Sequence, residues 1–316
     1  NMCGIAGILY KNQSEITSRA DDDKILSLLR HRGPDHENIY SDEFAHLFHC
    51  RLQIVDTSGA SNQPYRYPGA DHTLVFNGEI FNYQTIGAGL NDLKTRGDTE
   101  VLYRLLAEHG KECLNRLNGF FAFAMYNEKT RNLLIARDRF GVKPLYYYED
   151  HDKLAFASEL KPLLALTGKQ ELNHDQLYTY LRLNYCAGRE TIFKNIFRLM
   201  PGECIEANKS GTRRSTWYEA PKQAPESSIN ELLEDAVKIR LRADVPVGTF
   251  LSGGLDSSII SAIAKKHHAD LHTFSIGFED ENYFDESDYS ELVAKHIGSR
   301  HHVFKLREND FTTHID

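Results

Sequence analysis

The sequence predicts two domains of different class: packed antiparallel sheets with helices outside (α+β) over residues 3–208, and an open parallel sheet (α/β) over residues 229–316. Three observations carry this prediction. At 316 residues the chain is long for one compact domain. Short apolar runs dominate the first two hundred residues, whereas strand and helix patterns alternate after residue 228. Between them, residues 210–228 are polar, hold two prolines and lack periodicity, so the linker is placed at 209–228.

In the first part, residues 73–76, 120–126, 133–137, 145–148 and 154–157 are apolar or aromatic runs bounded by Gly, Asn, Pro or Asp, and read as strands. Residues 22–30 place Ile25, Leu28 and Leu29 on one helical face and stop before Gly33-Pro34. Residues 98–108 do the same with Val101, Leu102, Leu105 and Leu106, ending at Gly110. In the second part, helix 229–240, strand 247–251, helix 258–267, strand 271–278, helix 286–297 and strand 302–306 follow in turn. That alternation is the pattern of a parallel sheet with crossover helices.

Composition narrows the function. Hydrophobic residues make up 41% and charged residues 26%, enough apolar material for real cores. The net charge of −8, without any Lys/Arg block, argues against a nucleic-acid partner, whose phosphates require a basic face. No apolar stretch is long enough for a membrane helix, and the start lacks the basic leader of a signal peptide, so no membrane partner is expected. Cys3, Cys50, Cys113, Cys186 and Cys204 are odd in number and widely spread, which fits a reducing cytoplasm. The last four are expected to be buried structural thiols.

Cys3 lies next to the chain start. A cysteine in first position carries its own base, because the neighbouring α-amine (pKa about 8) takes the thiol proton. Arg51 suits a two-pronged grip on a carboxylate, though an exposed strand residue or a core ion pair would also explain it. Asp98 could receive an ammonium or simply cap a helix. Asn77-Gly78 by itself reads as a type I′ hairpin turn. Arg32 and Asp35 are expected to form a structural pair, and Arg137, Asp138 and Arg139 to serve the fold.

Five segments occur in order: Arg30–Asp35 (RHRGPD), Arg51–Asp56 (RLQIVD), Phe76–Tyr83 (FNGEIFNY), Gly97–Glu100 (GDTE) and Ala136–Tyr146 (ARDRFGVKPLY). Together they resemble the class II glutamine amidotransferase domain, an N-terminal-nucleophile fold with stacked antiparallel sheets between helices. The resemblance implies catalytic Cys3, Asn77 and Gly78. It also implies a glutamine site of Arg51, Ile54, Val55, Asn77, Gly78, Glu79 and Asp98.

Phe250–Ser258 (FLSGGLDSS) follows a strand and opens a helix. Small residues there let backbone N–H groups and hydroxyls approach an anion at the helix N-terminus. The Gly-Lys-Ser/Thr of a Walker loop is absent. The segment resembles the pyrophosphate loop of N-type ATP pyrophosphatases. That likeness implies ATP at Leu251, Ser252, Gly253, Gly254, Asp256, Ser257 and Ile276, with Mg2+ at Asp256. Leu251 and Ile276 would also pass as buried strand residues.

The two motif sets in tandem resemble the asparagine synthetase B family. The resemblance implies that ammonia from glutamine displaces AMP from an adenylated aspartate, with glutamine, aspartate and ATP as substrates and a homodimer through the glutaminase halves. One rival is a relative amidating a sugar acid for surface polysaccharide; another is a non-catalytic glutamine- or nucleotide-binding module. Two departures stand out: Asn1-Met2 precedes Cys3, and the chain stops at Asp316. Asn1 is expected to be extraneous to a natural start at Met2, material retaining both residues to be poor in glutaminase activity, and the ATP domain to be incomplete, its acceptor site lying beyond residue 316.

Overall fold

The computed structural model describes residues 2–12, 19–222, 227–279, 285–307 and 310. Asn1, part of the expected linker and the last residues of the chain lie outside them. The chain divides into two compact units, Asn1–Pro221 and Lys222–Asp316.

In the first unit the elements run β1 (Gly4–Tyr10), α1 (Arg19–Leu29), β2 (His36–Ser41), β3 (Ala45–Arg51), β4 (His72–Ile80), α2 (Tyr83–Gly87), α3 (Asp98–His109), β5 (Gly119–Asn127) and β6 (Asn132–Arg137). They continue with β7 (Tyr146–Glu149), β8 (Lys153–Ala157), α4 (Leu160–Thr167), α5 (His174–Leu183), β9 (Ile196–Arg198), β10 (Glu203–Asn208) and β11 (Gly211–Thr216). Two antiparallel sheets form, in the orders β2-β3-β1-β8-β7-β9 and β11-β10-β6-β5-β4.

Period-two alternation sorts the side chains into three cores. Ile5 and Leu9 of β1, Ala45 and Leu47 of β3, Val75 of β4 and Ala122, Ala124 and Tyr126 of β5 meet between the sheets. Ala6 and Ile8 face the other way, onto Ile25, Leu26 and Leu29 of α1 and Leu163 of α4. Phe121, Phe123 and Met125 meet Leu102, Tyr103, Leu105 and Leu106 of α3. The result is a four-layer αββα stack, the arrangement expected from the five motifs.

Two expectations change. Residues 211–216, read as linker, form the edge strand β11 on β10. Its Thr, Arg and Ser side chains carry no apolar signal because an edge strand needs none. Asn77 and Gly78 are not a turn: β4 runs through them to Ile80, pairing Asn77 with Ala122 and Gly78 with Phe121. Glycine is needed there for space, since a Cβ would sit 2.3 Å from the Phe120 carbonyl oxygen.

In the second unit, α6 (Ile229–Arg240), β12 (Gly248–Phe250), α7 (Leu255–His267), β13 (His272–Phe278), α8 (Ser287–Ile297) and β14 (Arg300–Leu306) alternate as predicted. Ser228 and Glu231 form a capping box at the start of α6. The strands make a parallel sheet in the order β12-β13-β14. Val237, Ala264 and Leu271 are its buried core. Phe250, Ile276 and Phe304 stay 82%, 57% and 59% exposed, so the sheet carries apolar side chains in solvent. This overturns the reading of Ile276 as a buried strand residue, whereas Leu251 is fully buried.

Candidate functional site

The inner rows of three strands of the first unit become polar towards one end. In β3 the row Ala45-Leu47 continues as His49 and Arg51; in β4 Val75 is followed by Asn77 and Glu79; ahead of Ile5 on β1 stands Cys3. Register aligns them, because Gly4 pairs with Cys50, next to Arg51. Cys3, Arg51, Asn77 and Glu79 line a cleft of about 110 Å3 that also takes in Ile54, Val55, Gly78 and Asp98. All eight residues expected to bind or cut glutamine are thus brought to one place.

Asn77 is 1% exposed, and neither Nδ2 nor Oδ1 has a hydrogen-bond partner. A buried amide left unpaired costs free energy, so its presence in the cleft calls for a ligand. The Cys3 thiol lies beside the Leu52 peptide, whose N–H is 3.3 Å from Sγ. Burial pushes the thiol's pKa up, while the Leu52 N–H and the charges of Arg51 and Lys143 pull it down and Asp98 pushes it further up. The net effect favours the protonated thiol, so a nearby base is required for attack.

Asp98 is the first residue of α3, one place beyond the N-cap Gly97, and its Oδ2 accepts the Ile80 N–H at 2.9 Å. Burial raises its pKa to about 6 against the pull of backbone N–H groups and Arg51. Arg51 is 4% exposed. Its guanidinium donates to the carbonyls of Val55, Asp56 and Ser58 and to Oδ1 of Asn62. Both terminal nitrogens therefore brace the 52–62 loop, and the expected two-pronged grip is not preformed: an incoming carboxylate would have to displace these acceptors.

Two further groups that had not been singled out, Gln63 and Lys143, line the cleft, and His49 lies on the same row of β3 as Arg51. His49 Nε2 bridges the sheets to the Phe76 carbonyl at 3.1 Å, and burial lowers its pKa to about 3, leaving it neutral. Gln63 Oε1 accepts the Phe76 N–H at 2.6 Å. Lys143 lies in the loop after β6. Its signal was the basic residue within ARDRFGVKPLY, but only the loop's path brings it in. That loop is held by Arg137, which donates to the carbonyls of Lys143, Leu199 and Gly141 at 2.7, 2.6 and 2.5 Å. The Asp138 carboxylate accepts N–H groups of Phe121, Phe140, Val142 and Lys143.

Arg32 does not pair with Asp35. It reaches Glu159 Oε1 at 2.7 Å and the Cys3 carbonyl at 3.0 Å, while Asp35 accepts the Gln53 N–H. Glu159 is 127 positions away in sequence, beyond the reach of local reasoning. Cys186 is half-buried, not buried, unlike Cys50, Cys113 and Cys204.

The second unit holds a separate loop between β12 and α7. Gly253 has φ +84°, and a Cβ there would lie 2.5 Å from Tyr289 Cβ. Gly254 caps α7 without a side-chain hydrogen bond. The Ser252 and Ser257 hydroxyls lie 3.1 Å apart, and Ser252 Oγ also accepts the Gly254 N–H at 3.3 Å. Hydroxyls and peptide N–H groups gathered at a helix N-terminus suit an anion such as pyrophosphate. Asp256 is exposed in the first turn of α7. Among the described residues no group of three or more His, Cys, Asp or Glu side chains could hold a metal ion. No helix among them is long and apolar enough to cross a membrane.

Residues 2–218 match the glutamine amidotransferase domain family, and residues 228–316 match asparagine synthase. A putative asparagine synthetase [glutamine-hydrolyzing] 2 of Methanocaldococcus jannaschii is 36% identical, covering 100% of this chain and 67% of its own length. Asparagine synthetase [glutamine-hydrolyzing] 1 of Bacillus subtilis is 33% identical over 94% of this chain and 49% of its own. Asparagine synthetase B of Escherichia coli is 34% identical over 95% and 53%. The chain thus spans about half to two thirds of the length of these relatives. A solved structure of the allosteric regulatory enzyme of purine biosynthesis aligns with TM-score 0.50 at 16% identity, over 96% of this chain and 80% of that one, a likeness of fold.

Proposed function

Because the chain belongs to the family of glutamine-hydrolysing asparagine synthetases, with a glutamine amidotransferase domain over residues 2–218, we propose that its first unit cuts the side-chain amide of glutamine with Cys3 as nucleophile. The observation that carries this reading is the unpartnered, buried amide of Asn77 in the cleft that Cys3 lines.

In this reading the working form begins at Cys3. Its α-amine takes the thiol proton, and the thiolate attacks the amide carbon. Asn77 Nδ2 and the Gly78 N–H donate to the resulting oxyanion, worth about 3 kcal/mol for a preorganised donor. Collapse returns the proton to the leaving nitrogen and releases ammonia, leaving a thioester. Water then attacks the thioester, which yields glutamate and restores the thiol. The cleft's charges match a zwitterionic substrate: Asp98 and Glu79 suit its ammonium, Arg51 its carboxylate, with Ile54 and Val55 beside them. Glutamate release by processed protein, lost in Cys3→Ala, tests the assignment; a Cys3→Ala protein that still hydrolyses glutamine refutes it.

The second unit is read as part of the site where ATP is used. Ser252, Gly253, Gly254 and Ser257 would hold the pyrophosphate portion, and Leu251 and Ile276 would lie against adenosine. Asp256 would meet Mg2+ together with phosphate oxygens, since magnesium keeps few protein ligands in such sites. ATP, when bound, supplies the AMP leaving group that makes a carboxylate attackable by neutral ammonia. Aspartate is the proposed acceptor and asparagine the product, in keeping with the names of the relatives. ATP- and glutamine-dependent pyrophosphate release by the longer protein, with aspartate compared against uronic acids, decides the acceptor. Release stimulated by a uronic acid and not by aspartate would overturn it.

A further inference from the structure

The glutamine-binding set leaves one half-buried cation of the cleft unassigned, Lys143. Lys143 Nζ lies 3.0 Å from Met2 Sδ, and a thioether is a weak acceptor for an ammonium. Met2 is itself held at the cleft by its backbone N–H, which donates to the Arg32 carbonyl at 3.0 Å. The position of Lys143 is built, not accidental: the seven side-chain hydrogen bonds that Arg137 and Asp138 make within residues 138–143 and to Phe121 and Leu199 fix the turn that carries it.

We propose that Lys143 is a positioning residue that sets the protonation of the nucleophile: once Cys3 is the first residue, the ammonium of Lys143 faces its thiol and new α-amine, keeps that amine neutral and favours the thiolate. The proposal rests on the reading of Cys3 as nucleophile and its own amine as base. Loss of Met2 removes the Sδ contact and exposes the ammonium to the groups that replace it. A second positive charge beside a half-buried cation is disfavoured, so the amine remains able to accept a proton.

The other charges around the pair do not duplicate this effect. The Cys3 thiol also feels Arg51 from the end of β3 and Asp98 from α3, which act in opposite directions. Arg51 is committed to loop carbonyls. Lys143 in turn feels Glu79 from β4, Arg32 after α1, and Asp138 in its own loop. Burial lowers the Lys143 pKa while Cys3, Glu79 and Asp138 oppose that and Arg32 adds to it.

The test uses the full-length protein processed to Cys3, verified by intact mass, with glutamate release followed from about pH 5.5 to 9.5. Lys143→Met is expected to move the acidic limb of kcat/KM up by about one pH unit. Iodoacetamide should then alkylate Cys3 roughly tenfold more slowly on the acid side of the limb. Lys143→Arg, which keeps the charge, should retain the wild-type limb. Lys143→Gln reads the same limb if the methionine variant does not fold. An unmoved limb in a folded neutral variant overturns the proposal, as does an equal shift in Lys143→Arg. A rise in KM for glutamine with an unmoved limb also overturns it, assigning Lys143 to substrate binding instead. Hydrolysis that survives in Cys3→Ala would mark failure of the nucleophile assignment, a distinct result.

Discussion

Truncating Asn77 to alanine removes a side-chain amide that is 1% exposed and has no partner at either Nδ2 or Oδ1. In the free protein each unpaired buried group costs about 1–3 kcal/mol. The truncation relieves that cost and forfeits only a few dispersion contacts of ~0.1–0.2 kcal/mol each. Folding stability should therefore hold or rise, by up to about 2 kcal/mol, or roughly 4–8 °C in Tm for a domain of this size. Catalysis moves the other way: loss of one oxyanion donor removes about 3–4 kcal/mol of transition-state stabilisation, a fall of roughly 10²–10³ in kcat with KM little changed. Steady-state glutamate release and thermal unfolding of the same processed sample measure both. An Asn77→Ala protein that keeps its kcat, or that loses kcat and unfolds together, refutes the argument, because the amide would then serve the fold.

Three further outcomes follow from the same geometry. Asp98 has its folded pKa raised from 3.8 to about 6 by burial, so the folded state binds the proton more tightly than the unfolded chain. Stability should then fall as pH rises from about 4 to 6; Asp98→Asn should abolish this slope in urea titrations while raising KM for glutamine, and wild-type KM should rise as pH drops through about 6. Gly78→Ala forces a Cβ to 2.3 Å from the Phe120 carbonyl, so β4 must shift from β5; a loss of about 1–3 kcal/mol in chemical denaturation is expected, with glutaminase activity lost alongside. Gly253→Ala strains a residue at φ +84° and presses on Tyr289; ATP-dependent pyrophosphate release by the longer protein should weaken roughly tenfold, equivalent to 1.4 kcal/mol, with glutamine hydrolysis unchanged.

The candidate residues of both sites were legible in the linear order of the chain, because Cys3, FNGEIFNY and GDTE occur together in sequence and FLSGGLDSS follows a strand and opens a helix. The alternation of α6 to β14 was legible for the same reason: strand, turn and helix signals lie within a few residues of one another. Strands β1 to β3 were not, since β3 buries His46 and His49 at 1% and 0% exposure, and polar residues inside a core leave no hydrophobic pattern to read. Tertiary structure alone decided that Cys3, Arg51, Asn77 and Glu79 stand on inner rows ending at the same cleft, for one shift of register would turn every side chain to the opposite face. It alone matched Arg32 with Glu159, carried Lys143 to Met2 and turned part of the expected linker into β11. Backbone periodicity is set by near neighbours along the chain, whereas register and partnership are set by packing between segments a hundred or more positions apart.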